Sequence, residues 1–122
     1  RLADVYLMFA EATVRDNNVA EWMTAVGLLN DLRGRAFGNS SGQIAANNLT
    51  LDFIIKERAR ELYWEGYRRT DLVRFGLFTS ADYLWQWKGG KKSGSAVDGK
   101  YNYYPIPATE LTANPNLSNP EY

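Results

Sequence analysis

The sequence has no cysteine and no histidine. That removes Ser-His-Asp and Cys-His nucleophilic systems, thiolate metal sites and any disulfide framework. A chain without cysteine suits any redox compartment, so none is inferred. It has no surplus of charge either: 14 Lys+Arg against 14 Asp+Glu give a formal net charge of zero. Proteins that track nucleic-acid phosphates carry a basic excess, so no nucleic-acid partner is expected. Long apolar runs are also missing, and Tyr6-Leu7-Met8-Phe9-Ala10 falls far short of the ~20 residues of a membrane helix. The chain opens at Arg1 directly on a helical pattern, without a charged-then-apolar leader. It therefore reads as a fragment of a longer protein. Aromatic residues are plentiful: 4 Trp, 8 Tyr and 5 Phe in 122 residues. The composition points away from catalysis and cofactors and leaves binding through aromatic surface open.

The pattern along the chain is helical at first. Leu2, Val5, Tyr6, Phe9 and Thr13 fall at i, i+3, i+4, i+7 spacing, predicting a helix from Leu2 to about Arg15. Asp16-Asn17-Asn18 is a turn, because short polar side chains compete for backbone hydrogen bonds. A second helix is expected over Val19–Phe37, with Ala25, Leu28, Leu29, Leu32 and Ala36 inward. Gly38-Asn39-Ser40-Ser41-Gly42 breaks it, and Thr50 is placed to cap a third helix that turns Leu51, Ile54, Ile55, Ala59 and Leu62 inward. Gly66 is expected to interrupt that helix, and a short fourth one fits Arg68–Phe75, stopped by Gly76. Residues 77–122 hold all 4 prolines and no sustained period. Tyr104-Pro105-Ile106-Pro107 must be extended, since proline fixes its own φ and biases its predecessor away from helix. The expected fold is all-α. Residues 1–76 form two helical hairpins of a tetratricopeptide-like scaffold, and an irregular tail over 77–122 packs on them.

Two constellations could carry chemistry. Glu57, Glu61 and Glu65 share a helix face at i, i+4 steps, roughly 6 Å apart, a spacing that superficially suits the paired carboxylates of a retaining glycosidase. Arg58, Arg60, Arg68 and Arg69 are within reach, however, and guanidinium partners keep carboxylates ionised, the opposite of what a general acid needs. Glu57, Arg58, Arg60, Glu61, Glu65, Arg68, Arg69 and Asp71 are therefore read as a structural ion-pair network joining the third helix to the fourth. The second constellation is Tyr83-Leu84-Trp85-Gln86-Trp87-Lys88. Trp85 and Trp87, with Tyr83, are candidates for stacking on the C–H face of a sugar while Gln or Lys reaches its hydroxyls. The competing reading has both indoles buried between helices and tail.

Taken together, several segments resemble the C-terminal part of the SusD/RagB family, surface glycan-binding lipoproteins of Bacteroidota. They are Arg1-Leu2-Ala3-Asp4-Val5-Tyr6-Leu7-Met8-Phe9-Ala10-Glu11-Ala12, Leu29-Asn30-Asp31-Leu32-Arg33-Gly34-Arg35-Ala36, Glu57-Arg58-Ala59-Arg60-Glu61-Leu62 and Glu65-Gly66-Tyr67-Arg68-Arg69-Thr70-Asp71-Leu72-Val73-Arg74-Phe75-Gly76. Tyr104-Pro105-Ile106-Pro107 and the closing Asn119-Pro120-Glu121-Tyr122 complete the series, with Ser118 and Glu121 where the family usually has Gln and Gly. The resemblance implies a tetratricopeptide-like scaffold, an oligosaccharide or polysaccharide ligand and a TonB-dependent outer-membrane transporter of the SusC type as partner. It also implies a place at the surface of the outer membrane, through an N-terminal lipidated cysteine outside this sequence. No ligand contact carries over from the family to a numbered residue here. The alternative is an intracellular helical-repeat module that binds a peptide between its hairpins. A lipobox cysteine upstream distinguishes the two.

Overall fold

Among the described residues the secondary structure is helical, with no strand: α1 (Leu2–Arg15), α2 (Trp22–Phe37), α3 (Leu51–Glu61), α4 (Arg68–Arg74) and α5 (Ala108–Ala113). The structure is a computed structural model that describes every residue except Glu121. The chain divides into two compact units, Arg1–Arg68 and Arg69–Tyr122.

In the first unit α1 packs against both α2 and α3. Leu7, Leu29, Leu49, Ile54 and Ile55 are its largest fully buried side chains. Inward positions expected on α2 are met at Ala25, Leu29 and Leu32, whereas Ala36, in the last turn before Gly38, is exposed. On α1 the buried face differs from the expected stripe. Ala3, Leu7, Ala10, Glu11 and Thr13 are buried, whereas Leu2, Val5 and Met8 are exposed. Nearly every residue from Val5 to Ala10 is apolar, so periodicity alone does not choose a face. Contact with two helices does, and it selects small side chains around Leu7.

Polar caps and clamps set the boundaries. Asn17 takes a left-handed φ of 52° at the turn after α1. Asn30 on α2 holds the following loop through both halves of its amide: Oδ1 accepts the Ile44 N–H at 2.7 Å and Nδ2 donates to the Ile44 carbonyl at 3.1 Å. The Trp22 indole N–H donates to the Ala46 carbonyl at 3.1 Å. These bonds bring the polar stretch back along α2 and deliver Leu49 to the core. Thr50 caps α3 as expected, its hydroxyl accepting the Phe53 N–H at 3.1 Å. Thr50→Ala is expected to lower stability by about 1 kcal/mol, read as a shift in the urea midpoint at unchanged slope.

Gly66 does not end α3. The helix stops at Glu61, and a turn follows in which Trp64 (φ 65°) and Gly66 (φ 80°) are both left-handed. Leu62 closes the last turn by donating its N–H to the Arg58 carbonyl at 2.9 Å, then leaves helical geometry. Its side chain stays buried.

The second unit begins within α4, which ends before Gly76 (φ 71°). Beyond it the segment expected to be irregular contains the short helix α5 and single 3₁₀ turns at Lys88–Gly90 and Gly99–Asn102. Pro107, with φ −57°, stands at the N-cap of α5. Six residues are too few for a helical period to show in the sequence. The Pro105-Ile106-Pro107 stretch is tied down by Asn119. Its Oδ1 accepts the Ile106 N–H and its Nδ2 donates to the Ile106 carbonyl, both at 2.9 Å. The Tyr122 hydroxyl lies 2.9 Å from the Tyr103 carbonyl and 3.0 Å from that of Lys100. The closing Asn119-Pro120 and Tyr122 thus form a clasp on residues 100–106. Glu121, which stands where the family usually has Gly, lies outside the described residues.

Candidate functional site

The charged residues of α3 lie in the first unit. Glu57 accepts from Arg33 Nη1 at 2.7 Å and from Arg60 Nε at 2.9 Å. Arg35 and Arg1 both pair with Glu61, at 2.6 Å and 2.7 Å, and Arg1 also pairs with Glu65. Arg58, with its side chain 3% exposed, donates to the Asp4 carboxylate at 2.8 Å and lies over the Tyr67 ring. Arg68 donates to the Ile55 carbonyl at 3.0 Å. The ion pairs seen at Glu57, Arg58 and Glu61 thus run chiefly to α1 and α2, not only along α3. Sequence spacing could not reveal this, because Asp4 and Arg58 are 54 residues apart. Glu57 and Glu61 each face guanidinium groups, an arrangement suited to cross-linking helices rather than to proton transfer. In the second unit Asp71 pairs with Arg74 at 3.1 Å. Among the described residues no group of three or more carboxylates is placed to hold a metal ion.

Trp85 and Trp87 lie in the second unit and both line a pocket of ≈ 770 Å³. Phe78, Tyr101, Tyr103, Tyr104 and Tyr122 complete its aromatic wall. These rings are not sunk into a core: Trp87 is 65% exposed and Tyr104 76%. Arg69, read from the sequence as an ion-pair residue, lines the same pocket. Its guanidinium sits 3.9 Å from the Tyr104 ring centroid and 5.0 Å from that of Phe78, and Nη2 donates to the Tyr101 carbonyl at 2.8 Å. A guanidinium over a ring is attracted by the π face. Tyr83 is outside the lining and packs on Trp85 instead, with centroids 6.1 Å apart. Phe78, on the lining, also packs near Trp85, with centroids 6.0 Å apart.

The tryptophan segment is a closed loop, not the extended stretch that would put the two indoles on one face by alternation. The Lys88 N–H donates to the Trp85 carbonyl at 3.1 Å, the Trp87 N–H to that of Lys91 at 3.1 Å, and the Ser95 N–H to that of Lys88 at 3.0 Å. Trp87 itself is left-handed, φ 69°, an uncommon conformation for a large side chain. Gly94, at φ 81°, lets the chain close: a Cβ there would meet the Trp85 carbonyl oxygen at 2.5 Å.

Lys88, on the pocket lining, is the least expected residue of the site. From the sequence, Gln or Lys of this segment is expected to reach sugar hydroxyls, yet Lys88 is 3% exposed. Its Nζ donates to the carbonyls of Ser80 (2.5 Å), Tyr83 (2.7 Å) and Leu77 (3.3 Å) and lies 4.7 Å from the Trp85 ring centroid. Burial pushes its pKa below the usual lysine value, while the Asp82 carboxylate works the other way. Three carbonyl acceptors call for three N–H donors, which an ammonium has and a neutral amine lacks. The geometry therefore favours the charged form. The tyrosines at 101, 103, 104 and 122 were also missed as a group; their only signal in the sequence was the density of Tyr near the C-terminus.

Fold and pocket together define a chain whose regular structure, among the described residues, is all α or 3₁₀ helix, with an open, aromatic-walled pocket in its second unit. The chain belongs to the SusD family, whose sequence model matches residues 1–122. It is 46% identical over 121 residues to the starch-binding protein SusD of Bacteroides thetaiotaomicron, an alignment that covers 99% of this chain and 20% of that protein.

Proposed function

We propose that this chain is part of a glycan-binding protein of the bacterial surface, not an enzyme, and that its own contact with glycan is the pocket walled by Trp85, Trp87 and the tyrosines. The observation that carries this reading is the set of exposed rings around one opening, in a chain of a family that includes a starch-binding protein. Axial C–H bonds give a pyranose an apolar face that packs on an aromatic ring. Indole and phenol rings at several angles can hold successive sugars of a chain, and the Asp98 carboxylate in the same lining offers acceptors for hydroxyls. Because stacking discriminates weakly between sugars, starch-type α-glucan is the first ligand to test. The helices of residues 1–76 are proposed to belong to a tetratricopeptide-like scaffold. The protein is proposed to deliver oligosaccharide to a TonB-dependent transporter of the SusC type. In this reading an N-terminal lipid outside these residues holds it at the outer membrane.

Titrating the full-length protein with maltoheptaose while following tryptophan fluorescence tests the reading. Saturable change that a Trp85→Phe, Trp87→Phe double variant loses is expected. Binding that the double variant retains in full would place the glycan elsewhere.

A further inference from the structure

Carbonyl oxygens repel one another when several point at one spot, and a buried cluster of them needs a cation or a set of donors. The carbonyls of Leu77, Ser80 and Tyr83 converge in this way, and the group between them is the Lys88 ammonium. We infer that Lys88 is a positioning residue: its ammonium acts as a cation tethered to the chain, gathering these three carbonyls and so fixing the Trp85–Trp87 wall of the pocket.

The backbone explains how one side chain reaches so far. Lys88 sits between Trp87, whose φ is 69°, and Gly89, whose φ is 64°. The main chain thus turns sharply on both sides of it. A Cβ on Gly89 would meet the Ser95 Oγ at 2.5 Å, so the returning arm of the loop lies directly against this turn. Ser95 closes the loop on the Lys88 carbonyl at 3.0 Å, and two residues later Val97 donates to the Thr79 carbonyl at 3.0 Å. The lysine is therefore bonded at its backbone to residues 85–95 and at its ammonium to residues 77–83. The Trp85 ring is 4.7 Å from the charge and is contacted by Phe78 and Tyr83. Without the cation, three carbonyls lose their donor and the 77–83 turn loses its link to the tryptophans. A cation of the right size at the right depth is what the site requires, not packing volume alone.

The inference concerns the loop itself, and only its effect on affinity rests on the glycan-binding reading. Because these 122 residues hold no cysteine, a cysteine introduced at 88 is the one thiol among them, and any cysteine elsewhere in the protein is replaced by serine in every form compared. In the full-length protein, Lys88→Met keeps length and removes charge, and Lys88→Cys provides a thiol that 2-bromoethylamine converts to an ammonium side chain of lysine length. Iodoacetamide caps the same thiol with a neutral group of similar size. Hydrogen exchange at the amides of Ser95 and Val97 reads the loop, and maltoheptaose affinity reads the pocket. Exchange is expected to quicken at least about tenfold in Lys88→Met and in iodoacetamide-capped Lys88→Cys, and to return to within about threefold after aminoethylation. Affinity is expected to fall about tenfold and recover in parallel. Unchanged exchange in Lys88→Met, or equal recovery with the neutral cap, would overturn the inference. If aminoethylation restores exchange while no form of the protein binds maltoheptaose, the role of Lys88 stands and the glycan-binding reading fails.

Discussion

Asp4→Ala is expected to be among the most damaging single substitutions in the helical unit, costing about 3 kcal/mol or more. Asp4 accepts from Arg58 at 2.8 Å, and the arginine side chain is almost wholly buried. Taking away the carboxylate leaves the guanidinium in the core with less to balance its lost hydration. Breaking a buried pair from one side costs more than removing both partners, because the survivor stays desolvated. The double substitution Asp4→Ala, Arg58→Met should therefore recover most of the loss. Urea unfolding of the four members of the cycle measures this. A cost for Asp4→Ala below about 1 kcal/mol would mean that the pair behaves like an exposed one.

The second large effect is on binding. Trp87→Ala should weaken glycan affinity about thirtyfold, the range of an aromatic residue at the centre of a contact. Its effect on stability should stay within about 0.5 kcal/mol, because the ring is mostly exposed. Tyr83→Ala is the informative comparison. That ring packs on Trp85 but lies outside the pocket lining, so its removal should weaken binding only a few-fold, through loosened support. Calorimetric titration of both variants with maltoheptaose gives the ratio. Equal losses would indicate that Trp87 acts by holding the loop rather than by touching sugar.

The helices were legible because their signals are local. The Asp16-Asn17-Asn18 turn, the Thr50 cap and the stops at Gly38 and Gly76 each act within one turn of helix. The face of α1 was not legible, because an almost uniformly apolar run has no preferred side until two neighbouring helices choose one. The ion-pair partners of α3 were hidden for a related reason: the sequence shows which charges are near along the chain, whereas Asp4, Arg33 and Arg35 arrive by folding. At the pocket, Trp85 and Trp87 stood out by type and spacing. The tyrosines that join them and the buried Lys88 did not, since a lysine beside two glycines usually marks a solvated loop. Its burial follows from left-handed turns at Trp87 and Gly89 that no pattern of residue types announces.

The aromatic pocket of residues 69–122 is proposed to touch glycan. Labelling the full-length protein with 5-fluorotryptophan and recording its fluorine spectrum during addition of maltoheptaose tests this most directly, with Trp87→Phe used to assign the signal. The predicted result is a saturable shift of the Trp87 resonance, with the exposed Trp64 unmoved. Saturable binding that leaves the Trp85 and Trp87 resonances in place would contradict it.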